Sequence, residues 1–111
     1  MKITKKDVLI INQMFDKGIF HNESSLDFAL ASIRNRQDWM EQASYVLRAL
    51  LVDHVFQDGN KRTAANLLML ICERQQMQFN PEEIAAFIIQ LARDNIQNIK
   101  EIKKRIAMLV Y

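Results

Sequence analysis

The sequence predicts an all-α protein, a compact single-domain bundle of about six helices around a central buried helix. Three observations carry this. Half of the 111 residues are apolar while glycine and proline together number three, which favours long helices and short loops. The apolar residues recur at helical spacing in segment after segment. Several of those segments open on residues that cap helices, among them Thr4, Asp38, Asn80 and Asn98.

Thr4 is placed to cap a first helix, with Asp7 at the third position completing a capping box. Val8, Ile11, Met14 and Phe15 form its expected buried stripe, and Gly18 its end. His21 falls in the next loop beside Asn22 and reads as a surface histidine. A second helix is expected to open at Ser24 or Ser25 and to run through Leu26, Phe28, Ala29, Ala31 and Ile33. The polar run Arg34-Asn35-Arg36-Gln37-Asp38 then breaks the pattern and reads as a connector.

Asp38 is suited to cap a third helix whose inward positions are Trp39, Met40, Ala43, Val46, Leu47, Leu50 and Leu51. His54 falls on the continuation of its Leu47 and Leu50 face. The fourth helix, from about Asn60 to Gln76, is apolar on nearly all sides between Leu67 and Cys72, as expected of the helix at the domain centre. Asn80-Pro81-Glu82-Glu83 gives the clearest start: a capping amide, proline at the first position and acids in the first turn. Ile84, Phe87, Ile88 and Leu91 face inward on that fifth helix. Asn98 with Glu101 opens a sixth, with Ile99, Ile102, Ile106 and Leu109 as its stripe and Lys100, Lys103, Lys104 and Arg105 as a solvated face.

The whole chain, 1–111, reads as one domain, long enough to bury a core without disulfides or metals. Cys72, the single cysteine, lies in an apolar run and reads as a small core residue in a protein of a reducing compartment. The net charge is only +2 and the basic residues are dispersed, so a nucleic-acid partner is not expected. The N-terminal Met1-Lys2-Ile3-Thr4-Lys5-Lys6 has no long apolar segment behind it, and no stretch reaches membrane-spanning length. A cytoplasmic protein without membrane contact is the expectation.

Between the third and fourth helices stands His54-Val55-Phe56-Gln57-Asp58-Gly59-Asn60-Lys61-Arg62-Thr63-Ala64. An imidazole, a carboxylate, a glycine, an amide and two cations crowd one turn that ends at a helix start. Free N–H groups at a helix start suit an anion. Lys61 and Arg62 in a first helical turn oppose the helix dipole, a sign that a bound phosphate reverses.

This string resembles the signature of the Fic/Doc family, His-x-Phe-x-Asp/Glu-Gly-Asn-x-Arg, at every fixed position through Arg62. The continuation Lys61-Arg62-Thr63-Ala64 is similar to the Doc (death-on-curing) branch, which has lysine where the Fic branch has a second glycine. The likeness covers roughly residues 24–78. It implies a Fic/Doc-like fold, with ATP and Mg²⁺ as cofactors and a protein hydroxyl as acceptor. Fic-branch members transfer a nucleotidyl group, usually AMP. Doc resembles a kinase that binds the nucleotide reversed and passes on its terminal phosphoryl group, with a translation elongation factor as target and an antitoxin as partner. The likeness also implies a flap over the site at the place of Arg34 to Asp38, a segment that a plain polar loop explains equally well.

Each residue of the turn has a chemical reason to be there. His54 is the candidate catalytic base, since an imidazole accepts protons near neutral pH. Asp58 is a hard oxygen ligand for Mg²⁺. Gly59, Asn60, Lys61 and Arg62 are the candidate nucleotide-binding residues: close backbone approach, an amide, a point charge and a planar fork for phosphate oxygens. Phe56 reads as a core anchor, and Thr63 and Asn66 as packing residues.

Two departures from the Fic pattern favour the Doc reading. Lys61 adds a side chain where a glycine would let backbone lie against phosphate. Ala65 stands where Fic members carry a second arginine that grips the triphosphate. The expected activity is therefore a Doc-like phosphotransferase, with a protein adenylyltransferase or a non-catalytic helical module as alternatives. A DNA-binding helix-turn-helix is disfavoured because Lys61 and Arg62 lack a surrounding basic surface.

Overall fold

The computed structural model describes residues 3–111 of the chain, so Met1 and Lys2 of the basic N-terminal stretch lie outside the described residues. The described residues form six helices: α1 (Lys5–Gln13), α2 (Glu23–Ile33), α3 (Trp39–Val52), α4 (Asn60–Arg74), α5 (Pro81–Arg93) and α6 (Ile99–Leu109). The starts follow the capping chemistry. The Thr4 hydroxyl accepts from the Asp7 N–H while the Asp7 carboxylate accepts from the Thr4 N–H. Asp38, Asn80 and Asn98 cap α3, α5 and α6 as the sequence predicts.

The buried centre expected at α4 is there, contributed by Ala64, Leu67, Leu68, Ile71 and Cys72. It is shared with α3, which buries Ala43, Val46, Leu47, Ala49, Leu50 and Leu51 and packs against α2, α4, α5 and α6. The α4 helix in turn packs against α1, α3 and α5. The Cys72 thiol is buried, and desolvation raises its pKa to about 11, so it stays protonated as a small core residue.

Three details differ from the sequence reading. First, α1 buries Val8 and Ile11 as expected but stops at Gln13, where Met14 caps it, leaving Met14 67% and Phe15 36% exposed; its third buried residue is a polar one, Asn12. Gly18 does not end the helix but turns the chain afterwards, at φ +70°, with its N–H bonded to the Asn12 side chain at 2.9 Å. Second, α2 opens at Glu23, one residue before Ser24, because the Asn22 side chain caps it by accepting the Ser25 N–H. Third, α3 ends before His54, with Asp53 as its C-cap, so His54 leaves the Leu47 and Leu50 face and stands exposed.

Between α1 and α2 the chain runs alongside the loop that follows α3. Phe20 and Phe56 form an isolated antiparallel bridge, and their rings stack at 5.1 Å. The Gln57 N–H donates to the Ile19 carbonyl at 2.9 Å, and the Val55 carbonyl accepts from His21 at 2.8 Å and Asn22 at 3.0 Å. With Phe56 and Val55 fully buried, this pairing fixes the loop from below.

Candidate active site

The fold brings the polar turn to the head of α4 and holds it there with contacts from two other segments. His54 sits at φ +52°, a left-handed conformation rare for a side chain other than glycine. Both neighbours are tied down. The Asp53 carbonyl accepts from the Asn22 side chain at 3.2 Å, and its carboxylate accepts from the Ser25 hydroxyl. Val55 is held by the backbone of His21 and Asn22. The strained residue between them is thereby aimed outward, a placement typical of functional positions.

On the other side of the turn, the Asn60 side chain closes on Phe56 in both senses: Oδ1 accepts the Phe56 N–H at 3.0 Å and Nδ2 donates to the Phe56 carbonyl at 2.9 Å. The amide is thus spent on the loop, and Asn60 offers the site its backbone N–H instead. Gly59 stands at φ +77°, and a Cβ there would meet Asn12 Nδ2 at 3.1 Å and Asp16 Cβ at 3.3 Å. The space that Gly59 opens therefore lies toward the end of α1, and lets the loop lie against that helix rather than against a ligand.

One residue that the sequence reading missed is Asn12. It is fully buried, donates through Nδ2 to the Asp58 carbonyl at 3.0 Å and the Thr63 hydroxyl at 3.1 Å, and accepts from Gly18. One side chain therefore joins α1, the glycine turn, the polar loop and the first turn of α4. A polar residue at a position where the α1 stripe calls for an apolar one was the only trace of it in the sequence.

Gly59 provides no side-chain cap, whereas each of the other five helices has one. The N–H groups of Asn60, Lys61 and Arg62 are those that an α-helix leaves without an intrahelical acceptor, and no acid stands in that first turn. These three residues line a cleft of about 990 Å³. His54, Asp58, Gly59, Asn60, Lys61 and Arg62 all line it, so the structure gathers every predicted site residue in one place. The remaining walls are Phe15 and Asp16 after α1, Leu51 from α3, Gln57, and Ile89, Ala92, Arg93 and Asn95 from the end of α5.

The connector Arg34 to Asp38 is elsewhere. It precedes α3 while His54 follows it, and the helix between is fourteen residues, about 20 Å of rise. Its side chains are engaged away from the cleft: Arg36 pairs with Glu41 at 2.7 Å and lies over the Tyr45 ring, and Asp38 pairs with Lys103 of α6. The segment that borders the active loop is the Phe20 stretch after α1. The resemblance implied a flap at Arg34 to Asp38, but none of those residues lines the cleft, and the plain polar loop is the reading that the structure agrees with.

The comparison with protein families agrees with this geometry. A model described as the Fic/DOC family matches residues 3–72, from the start of α1 through the buried body of α4. The chain belongs to the Fic/DOC family. No curated protein matches it. Family membership makes this a transferase-type domain of the class that transfers nucleotidyl or phosphoryl groups to protein targets, and the cleft holds the polar residues that such chemistry uses.

A nucleotide and Mg²⁺ fit the donors that the Fic/DOC cleft presents. The uncapped head of α4 with two cations suits phosphate oxygens. Asp58 is exposed, and its Oδ1 accepts the Gly59 N–H at 2.9 Å, which orients the carboxylate. Among the described residues no group of three His, Cys, Asp or Glu side chains is placed to cage a metal. One carboxylate suits Mg²⁺, which keeps several waters and takes its other ligands from phosphate. No helix of the described residues is long and apolar enough to cross a membrane.

Proposed function

We propose that this protein transfers the terminal phosphoryl group of ATP to a hydroxyl of a protein target. The observation that carries this is the convergence of His54, Asp58, Lys61, Arg62 and the uncapped start of α4 on one cleft. Phosphoryl transfer asks the protein mainly for placement, charge neutralisation and a base for the attacking hydroxyl. Lys61 and Arg62 with the N–H groups behind them hold phosphate oxygens. Asp58 would hold Mg²⁺, which supplies charge neutralisation when bound. His54 takes the proton of the incoming hydroxyl, held outward by the backbone on either side of it.

Phosphoryl rather than nucleotidyl transfer is the reading that Lys61 and Ala65 favour. Lys61 lines the cleft at the position where the AMP-transferring branch has glycine, and Ala65 supplies no guanidinium where that branch has its second arginine. A reversed nucleotide instead presents its terminal phosphate to Lys61 and Arg62. By family resemblance, the target is a protein of the translation machinery such as an elongation factor, and an antitoxin restrains the activity.

A second reading, transfer of AMP, draws on one observation. Arg93 lines the same cleft, so a guanidinium is present although position 65 lacks one. Incubating a cell extract with ATP labelled on the terminal or on the α-phosphate separates the two, and intact-mass analysis of the labelled target completes the test. A gain of one phosphate is expected. A gain of one AMP overturns phosphoryl transfer, and incorporation of neither label makes the domain a binding module. Lys61→Gly is expected to weaken phosphorylation, and Arg at position 65 in the same chain to favour AMP transfer.

A further inference from the structure

We propose that Arg93, in the last turn of α5, is a phosphate-binding residue of the cleft that clamps the part of a nucleoside triphosphate remote from the head of α4. This rests on the nucleotide reading above. Arg93 is outside residues 3–72, the part of the chain that the family match covers, so nothing in the match assigns it a role.

Packing brings it to the site. The turn between α4 and α5 is short, and α5 folds back along α4, so that Ile89, Ala92 and Arg93 line the cleft together with Lys61 and Arg62. The end of α5 is fixed: Asn95 adopts φ +50°, its N–H donates to the Ala92 carbonyl at 3.3 Å, and the Ile96 N–H donates to the Leu91 carbonyl at 3.1 Å. This closure of the helix end anchors the backbone that carries Arg93.

The guanidinium itself is available. The Arg93 side chain is 67% exposed, and its partner is the adjacent Asp94, which takes Nε at 3.1 Å and Nη2 at 3.5 Å and leaves Nη1 unengaged by that pair. A surface pair between chain neighbours contributes little and leaves other donors of the fork open. The charges of the cleft also call for it. Lys61, Arg62 and Arg93 stand against Asp16 and Asp58. Without Arg93 the lining cations and carboxylates cancel, and a triphosphate that reached beyond the first turn of α4 would have no cation along its far part. Arg93 provides a bidentate fork from a second helix.

A structural explanation competes: arginine in a last helical turn complements the helix dipole. Lysine at that position keeps this benefit and loses the fork, so the two explanations separate. Titration calorimetry of wild type, Arg93→Ala and Arg93→Lys with Mg-ATP and with adenosine, which has no phosphate, makes the test. For Arg93→Ala, affinity for Mg-ATP is expected to fall roughly tenfold or more, as for loss of a charge-assisted contact, with adenosine affinity nearly unchanged. Arg93→Lys is expected to fall between, with an unchanged melting temperature. Equal weakening of both ligands, or wild-type affinity for Mg-ATP in Arg93→Ala, overturns the clamp while the nucleotide reading stands. If wild type binds neither ligand, both fall together.

Discussion

Asn12 and Thr63, fifty-one residues apart, meet in the core with the Asn12 amide donating to the Thr63 hydroxyl at 3.1 Å. The same amide holds the Asp58 carbonyl, and its oxygen holds the Gly18 N–H. Asn12→Ala leaves these buried groups without partners and is expected to destabilise the protein by about 3 kcal/mol, the order of a few unsatisfied polar groups. Urea unfolding followed by circular dichroism measures it. A loss below about 1 kcal/mol means that water or a rearranged loop replaces the amide, and that the hub is not needed to position the site.

His54 is exposed and contributes little to the core, so its replacement separates chemistry from folding. His54→Ala is expected to lower the transfer rate by roughly 10²–10⁴-fold, the range of a general base, with nucleotide affinity nearly unchanged. Single-turnover kinetics on an identified target give the rate, and calorimetry the affinity. Full turnover in the variant would make the left-handed backbone at His54 a structural feature only.

Asp58→Asn is the matching test of the metal ligand. Asparagine keeps an oxygen to accept the Gly59 N–H, so the loop is expected to survive. An amide is a poor ligand for a hard cation, and the dependence of ATP affinity on Mg²⁺ is expected to shrink. The same Mg²⁺ dependence as wild type would remove Asp58 from the metal site.

Far from the cleft, Asp38 links the start of α3 to α6. Its hydrogen bond from Lys103 leads the influences that lower its pKa below the ordinary carboxylate value. The pKa is depressed in the folded state, so the stabilisation is present above the unfolded value of about 3.9 and is lost as pH falls through the folded value. Denaturation midpoints measured downward from pH 6 are expected to fall less for Asp38→Asn than for wild type over that acidic window. Parallel curves would mean that Lys103 does not hold the carboxylate in solution.

The sequence determined the helices and the chemistry of the turn. Helical spacing and caps are local properties, carried by neighbours in the chain, so Thr4, Asp38, Asn80 and Asn98 were legible as starts before any packing was known. The string from His54 to Arg62 was legible for the same reason: its residues are adjacent. Tertiary structure alone decided what lies around it. Asn12, the Phe20 stretch and Arg93 come from distant parts of the chain, and only the folding of α1 and α5 against α4 brings them to the turn. It also reassigned roles that residue type had suggested, turning the Asn60 amide onto Phe56 and the space beside Gly59 toward Asn12. A side chain's donors are set by its chemistry, but what they meet is set by which elements pack together.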